Sequence, residues 1–430
     1  MKPKRLPPQQ LKTQQQLDRI SAAFKKAMAE NRFADAMNEA LRAHKLIPQA
    51  VAPLSDAATA AVKGGLWQEG TRYAKEVLAR NPEHINSLDA LAHAYGGLKD
   101  WASCGKYGLK ALQLRDRHSV AAHPVPPELG IRAVKSKGKS IIAFSLFGRS
   151  SEYLEPAVMN TELAGDIYPG WVCRFYIDGS VPETAVQRLR DNGAEIVRVD
   201  EALESWPGTM WRFLALDDAE AARVVFRDAD SVISWREADA VGEWIQSGRL
   251  FHTLRDAGSH TELVLAGLWG AAAGAVPDIR GKIQAYVDAG VTSRHFADQL
   301  FLREQIWPYL RQSLCAHDRL FGFMDARPLP EGEGFDDFRF HIGCNEGNSN
   351  IRAGVAFADG TKVRWTLFSK IRPLPARDFS FRVGEERRIC SYEAVVRQGA
   401  INALLPRRYT AGFASGASRL AVEAVSDVGG

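Results

Sequence analysis

No apolar run in this 430-residue sequence approaches the roughly 18 residues needed to span a bilayer. Its opening residues, rich in Gln and Pro, also lack the apolar stretch of a secretion signal. The chain is therefore expected in the cytoplasm without a membrane span, at most peripheral at an inner membrane. Cysteine is scarce: the five at 104, 173, 315, 344 and 390 form no C-x-x-C pair, which excludes a zinc knot and a disulfide framework as the basis of the fold. An excess of one charge is missing too. With 55 basic against 51 acidic residues, and no basic block beyond Met1-Lys2-Pro3-Lys4-Arg5, nucleic acid is not an expected partner.

What is present is core-forming material. A chain that is 46% hydrophobic can bury a full interior, and its length favours two or three domains. Phe33, Trp67 and Trp101 are spaced by 34 residues twice over. Three windows, Leu17 to Ala50, Val51 to His84 and Ile85 to His118, align the columns Ala27/Ala61/Tyr95, Ala36/Gly70/Cys104, Ala40/Ala74/Gly108 and Ala43/Val77/Ala111. Pro48 and Pro82 close the first two windows. Small residues at fixed places let paired helices pack closely, and a terminal Pro stops the second helix of each pair. The segment resembles tetratricopeptide repeats, which implies a surface able to receive a protein partner.

Proline and lysine through His123-Pro124-Val125-Pro126-Pro127 and Lys135 to Lys139 predict a linker over 119–138. Beyond it, short apolar runs (Ile141 to Leu146, Val172 to Ile177, Glu195 to Val199, Val224 to Arg227) alternate with helical patterns (Tyr153 to Leu163, Glu183 to Asp191, Met210 to Asp217). That alternation predicts an α/β domain whose largely parallel sheet is covered by flanking helices, with ligands at the carboxyl ends of the strands. The expected domains are a disordered tail over 1–16, helical repeats over 17–118, the linker, the α/β domain over 139–345, and a β-containing appendage with a loose tail over 346–430.

Arg227-Asp228-Ala229-Asp230-Ser231 ends an apolar strand in two aspartates one residue apart. In an extended chain, positions two apart face the same side, so both carboxylates reach one ion. Hard divalent cations such as Mg2+ or Mn2+ take oxygen ligands and leave positions for phosphate oxygens.

With these aspartates in place, the sequence resembles nucleotide-sugar glycosyltransferases of the GT-A fold, and within it the family 8 enzymes. Four motifs agree in order: Phe147-Gly148-Arg149 after the first strand, Met210-Trp211-Arg212-Phe213, Phe296-Ala297-Asp298-Gln299, and Phe340-His341-Ile342-Gly343. The resemblance implies a GT-A mixed and largely parallel sheet. It implies nucleotide contact by Phe147, Gly148 and Arg149, and donor contact by Arg212 and Asp228. It further implies catalysis or acceptor contact by Asp298 and Gln299, and a Mn2+ or Mg2+ ion held by Asp228, Asp230 and His341. Two positions depart from the family pattern: Ala266-Gly267-Leu268-Trp269-Gly270 stands in place of an asparagine-rich donor turn, and Cys344-Asn345-Glu346 in place of a lysine.

Arg255 and His260, in the polar run His252 to His260, are candidate substrate contacts, Arg255 as a phosphate or carboxylate clamp. The alternative there is a solvated loop. Trp269, beside Gly270, is either a platform for a sugar ring or part of the core. The expected function is transfer of a sugar from a nucleotide-diphosphate sugar to a glycan or lipid-linked acceptor in bacterial surface polysaccharide (capsule or lipopolysaccharide) assembly. The alternatives are a protein glycosyltransferase whose repeats present a polypeptide, and a non-catalytic repeat adaptor with a degenerate transferase domain.

Overall fold

The computed structural model describes residues 7–131, 134–135, 137–291, 293, 296–330, 340–375 and 380–425. The chain divides into two compact units. One comprises Met1–Pro124 with Arg255–Leu263 and Asp318–Pro328; the other comprises Val125–Leu254, Val264–His317 and Leu329–Gly430.

The first unit is built on three helix pairs: α1 (Pro8–Ala29) with α2 (Phe33–Leu46), α3 (Ala52–Lys63) with α4 (Trp67–Arg80), and α5 (Ile85–Gly97) with α6 (Trp101–Ala122). The three aromatic residues at the 34-residue spacing each open the second helix of a pair. Each of the first two closes against a glycine of the next pair. A Cβ on Gly64 would stand 2.9 Å from Phe33, and one on Gly97 would stand 2.5 Å from the Trp67 ring. The aligned small residues Ala36, Ala40, Ala61, Ala74 and Cys104 are buried, as close helix packing requires. Helix α1 begins well before residue 17, inside the stretch expected to be a tail, because the Gln-, Leu- and Lys-rich run after Pro8 consists of good helix formers.

The segments after two strands of the sheet, 255–263 and 318–328, belong to this first unit. They settle on α5 and α6 where side chains are small: a Cβ on Gly108 would lie 2.2 Å from the Phe321 ring, and one on Gly258 would lie 2.9 Å from the Ala92 carbonyl. Arg115 adds a polar tie, meeting Asp89 through two bonds of 2.9 and 2.7 Å and Glu262 at 3.1 Å.

The second unit carries a seven-stranded sheet of β1 (Lys139–Leu146), β2 (Trp171–Ile177), β3 (Glu195–Arg198), β4 (Ala221–Phe226), β5 (Phe251–Arg255), β6 (Trp269–Ala272) and β7 (Leu314–Asp318). Its order is β3-β2-β1-β4-β6-β5-β7. The first four strands run parallel, and β6 is antiparallel to both β4 and β5. Helices α7 (Ser151–Ile167), α8 (Glu183–Asp191), α9 (Glu201–Glu204), α10 (Trp235–Ser247), α11 (Ile279–Asp288), α12 (Ala297–Phe301) and α13 (Trp307–Leu310) accompany it. This is a mixed, mostly parallel α/β arrangement, as the alternation of strands and helices implies. Cross-strand aromatic pairs pin its register: Phe144 stacks on Phe175 at 4.7 Å between β1 and β2, and Phe226 on Trp269 at 4.3 Å between β4 and β6.

The stretch after residue 345 contains strands, as expected, and they pack into the core of the second unit. It forms a ribbon of β8 (Ser349–Gly354) with β11 (Ala400–Leu405), and an antiparallel sheet of β10 (Phe381–Val395), β9 (Lys362–Pro373) and β12 (Ser418–Ala424) beside the short α14 (Arg407–Thr410). Alternate residues of β9, Val363, Trp365, Leu367, Ser369 and Ile371, are buried. The apolar ones share a single core with Phe144, Leu154 and Phe175. The interleaved Lys and Arg residues hide this period of two from a composition-based reading.

Candidate functional site

Residues at the carboxyl ends of β1 and β4 meet around one guanidinium. Arg212 sits in a 3-10 turn over Gly208–Asp217, not in the α-helix expected there, and its backbone N–H donates to Ser145 Oγ at 3.0 Å, at the end of β1. One terminal nitrogen donates to Asp228 Oδ1 at 2.6 Å and to the Arg227 carbonyl at 2.7 Å; the other donates to Asp298 Oδ2 at 3.0 Å. Burial acts to lower the Arg212 pKa, but the charges of Asp228 and Asp298 more than offset it, so the group stays charged. Burial also raises the Asp298 pKa, against the pull of Arg212.

Three of the residues singled out in the sequence, Arg212, Asp228 and Asp298, are thus in direct contact. Gln299, next to Asp298 at the start of α12, accepts from the Ala266 N–H at 3.2 Å and donates to the Val264 carbonyl. It braces the loop that carries Gly267. Asp228 needs that glycine, because a Cβ there would lie 2.1 Å from Asp228 Oδ2.

Asp228 and Asp230 do not continue the strand. β4 ends at Phe226, and the pair occupies a turn in which the Ser231 N–H donates to the Asp228 carbonyl at 3.3 Å. The alternation argument for a shared face therefore does not apply, and the turn presents the two carboxylates differently. Asp228 keeps 47% of its side chain exposed. Asp230 has its pKa raised to about 7, first by burial and then by the charges of Asp228 and Glu152.

Two residues that the sequence did not point to join Asp230. The Asn345 amide donates to Asp230 Oδ2 at 2.8 Å and to Glu152 Oε1 at 3.2 Å. The backbone of Glu346 donates to the Asp230 carbonyl at 2.7 Å. The only local signals were Ser150-Ser151-Glu152, an N-cap with an acid in the first turn of α7, and the Cys344-Asn345-Glu346 run itself. The His341-Ile342-Gly343 segment does form a turn, with Gly343 at φ +81° and the Cys344 N–H donating to the His341 carbonyl at 3.1 Å.

Among the described residues, however, no three His, Cys, Asp or Glu side chains come close enough to hold a metal ion. His341 does not complete a three-ligand site with the aspartates. The charge distribution still suits a divalent cation in an open mode: Arg212 bonds Asp228 and Asp298, while Asp230 and Glu152 share the Asn345 amide. Mg2+-type ions are commonly held by one or two carboxylates, with substrate phosphates and water completing the shell. Asp228 and Asp230 fit that mode.

The remaining candidates lie elsewhere. Phe147 is 43% exposed and meets Trp211 edge-on at 5.7 Å. Gly148, at φ +81°, donates its N–H to Ser180 Oγ at 2.6 Å, which Asp178 in turn holds. Arg149 lines a cavity on α8 and β10 and touches none of the acids around Arg212.

Trp269 is not a sugar platform. It is fully buried between Phe226 and Phe213, because β6 inserts it into the sheet core. Gly270 is a packing position, where a Cβ would lie 3.0 Å from the Val224 carbonyl and 3.2 Å from Trp244.

Arg255 and His260 belong to the first unit. Arg255 is buried, donates to the carbonyls of Glu262 and Leu263, and lies over Phe323 at 5.5 Å. His260 Nδ1 accepts from the Asp256 N–H at 3.0 Å. Both residues bond the backbone of segment 255–263, and the Arg255 guanidinium is buried there rather than exposed as a phosphate clamp.

No family model and no curated protein matches the chain. Among solved structures it is similar to glucosyl-3-phosphoglycerate synthase from Mycobacterium tuberculosis in complex with Mg2+ and uridine diphosphate, at 15% identity, over 48% of this chain and 77% of that one, with a TM-score of 0.28. It is similar to the Sgt2 TPR domain from Aspergillus fumigatus at 16% identity, over 26% and 86%, with a TM-score of 0.22. A third likeness is to a variant of Thermobaculum terrenum O-GlcNAc transferase at 12% identity, over 45% of this chain and 43% of that protein, with a TM-score of 0.25.

Proposed function

We propose that this chain is a metal-dependent, family 8-like glycosyltransferase that moves a sugar from a nucleotide-diphosphate sugar to an acceptor in bacterial surface polysaccharide assembly. The observation that carries the proposal is the bridging of Asp228 and Asp298 by Arg212 at the carboxyl ends of β1 and β4, where an α/β sheet of this type binds its ligand.

In this reading Asp228 and Asp230 hold Mn2+ or Mg2+, with substrate phosphates and water completing the shell. The cation supplies neutralisation of the departing diphosphate. Arg212 adds fixed positive charge that is already oriented before substrate arrives. Asp298 orients the donor sugar or acceptor hydroxyl, and Gln299 holds the 264–267 loop in place beneath Asp228. Asn345 keeps the Asp230 carboxylate aimed. Phe147 and Gly148 contact the nucleotide. The repeats serve a partner, and the chain works in the cytoplasm, peripheral to the membrane where lipid-linked acceptors lie.

Titration calorimetry with a panel of nucleotide sugars, with and without Mn2+, tests the proposal. Binding of at least one donor that requires Mn2+ and is lost in Asp230→Ala supports it. Failure of every donor to bind would favour a non-catalytic adaptor.

A further inference from the structure

A second site lies in the α/β unit, away from the aspartates. A cavity of about 980 Å3 is lined by α8, β10, Arg149 and Arg364, and shares no residue with the Arg212 cluster. That volume is at the upper end of what small-molecule sites occupy. The apolar part of its wall comes from Leu154, Ile389 and Cys390. Thr184, Gln187 and Ser391 supply hydroxyl and amide groups.

Its charge is unbalanced towards the positive. Arg188 is held by the buried Glu155 through two bonds of 2.7 and 2.9 Å, and Tyr392 OH donates to the same carboxylate at 2.6 Å. Arg364 is paired with Glu393 at 3.2 Å. Glu183, in the first turn of α8, is drawn off by Arg190 at 3.0 Å and Arg198 at 2.5 Å. Among the described residues Arg388 bonds only the neutral Ser391 hydroxyl, at 2.9 Å, and Arg149 has no carboxylate partner. Two guanidinium groups are therefore left over. The first turn of the nine-residue helix α8 adds only the Thr184 N–H, because Pro182 has no N–H and the Ala185 N–H donates to the Pro182 carbonyl at 2.9 Å.

Two forked guanidinium donors suit the tetrahedral oxygens of a phosphoryl group better than a single carboxylate or a neutral sugar. We infer that this cavity is a binding site for a phosphorylated small molecule, distinct from the Asp228 and Asp230 site. The hydroxyl and amide groups of Thr184, Gln187 and Ser391 match a polar body such as a sugar or ribose attached to the phosphate.

The test is calorimetry on the full chain in EDTA, which removes metal-dependent binding at the aspartates, with inorganic pyrophosphate, glucose 1-phosphate and uridine diphosphate as probes. At least one probe is expected to bind, to weaken by about tenfold or more in Arg388→Ala, to recover in part in Arg388→Lys, and to be unchanged in Asp228→Asn. Arg388 is exposed, so an unchanged melting temperature of the variants excludes misfolding as the cause. Tighter Arg388-dependent binding of glucose 1-phosphate identifies a phosphorylated sugar as the natural occupant, and tighter binding of uridine diphosphate identifies the nucleotide. The inference is overturned if no probe binds, if Arg388→Ala binds like the parent, or if Asp228→Asn abolishes binding.

Discussion

Arg212 lies 2.6 Å from Asp228 and 3.0 Å from Asp298, so one buried guanidinium joins the end of β4 to the start of α12. Its side chain is 3% exposed and that of Asp298 is 9% exposed. Removing it strands a buried carboxylate, and breaking such a pair costs about 3–5 kcal/mol. Arg212→Ala is expected to lose that much in urea unfolding and to lose donor binding as well. Arg212→Lys retains the charge but not the fork, and is expected to recover part of the stability without restoring full donor affinity.

Gly267→Ala separates geometry from stability. The added Cβ would lie 2.1 Å from Asp228 Oδ2, so the half-exposed carboxylate must turn aside and loosen its bond to Arg212, which keeps its bond to Asp298. The expected result is a melting point close to the parent's with donor affinity in Mn2+ reduced on the order of tenfold to a hundredfold, because displacing a ligating group by about 1 Å is costly. Unchanged affinity would show that Asp228 does not hold the metal.

Trp269 is a core residue by its place between Phe226 and Phe213. Trp269→Ala is expected to destabilise the chain by about 3–5 kcal/mol in chemical denaturation, whereas Trp269→Phe costs less and leaves donor binding intact. A stable Trp269→Phe variant that no longer binds donor would restore the sugar-platform reading.

The His252 ring is enclosed between Trp244 and His317, bonded to His317 Nδ1 at 2.8 Å. Burial, then the nearness of His317 and Arg227, pushes its pKa well below the ordinary value. The unfolded chain therefore takes up a proton near pH 6.5 that the folded chain refuses. Stability from this group is complete above about pH 6.5 and falls as pH drops, by up to about 1.4 kcal/mol per pH unit. Urea unfolding at pH 7.5 and 5.5 is expected to show that loss, with a shallower slope in His252→Phe. An equal slope in both proteins would contradict it.

Local patterns made much of this molecule legible in the sequence. The 34-residue aromatic spacing locates the start of three helices, and the apolar runs locate β1, β2 and β4, because each signal depends on neighbours a few positions apart. Arg212, Asp228 and Asp298 were likewise found from short motifs. The partners Asn345 and Glu152 were not, because they meet across 193 positions and neither has a local pattern that implies the other. Arg255 and His260 misled for a related reason. A dense polar run reads the same whether it faces a ligand or folds back on its own carbonyls, and only the docking of segment 255–263 on α5 and α6 decides between the two. The C-terminal strands were obscured by the charged residues on the outer face of β9 and β10.

The central claim is that Asp228 and Asp230 support metal-dependent chemistry on a nucleotide sugar while Asp298 acts on the sugar or acceptor. The most direct measurement is release of free nucleoside diphosphate from a bound donor in Mn2+, compared among the parent, Asp230→Ala and Asp298→Ala. The account predicts Mn2+-dependent release by the parent, none by Asp230→Ala, and lost release with retained donor binding in Asp298→Ala. Full release by Asp230→Ala would contradict it.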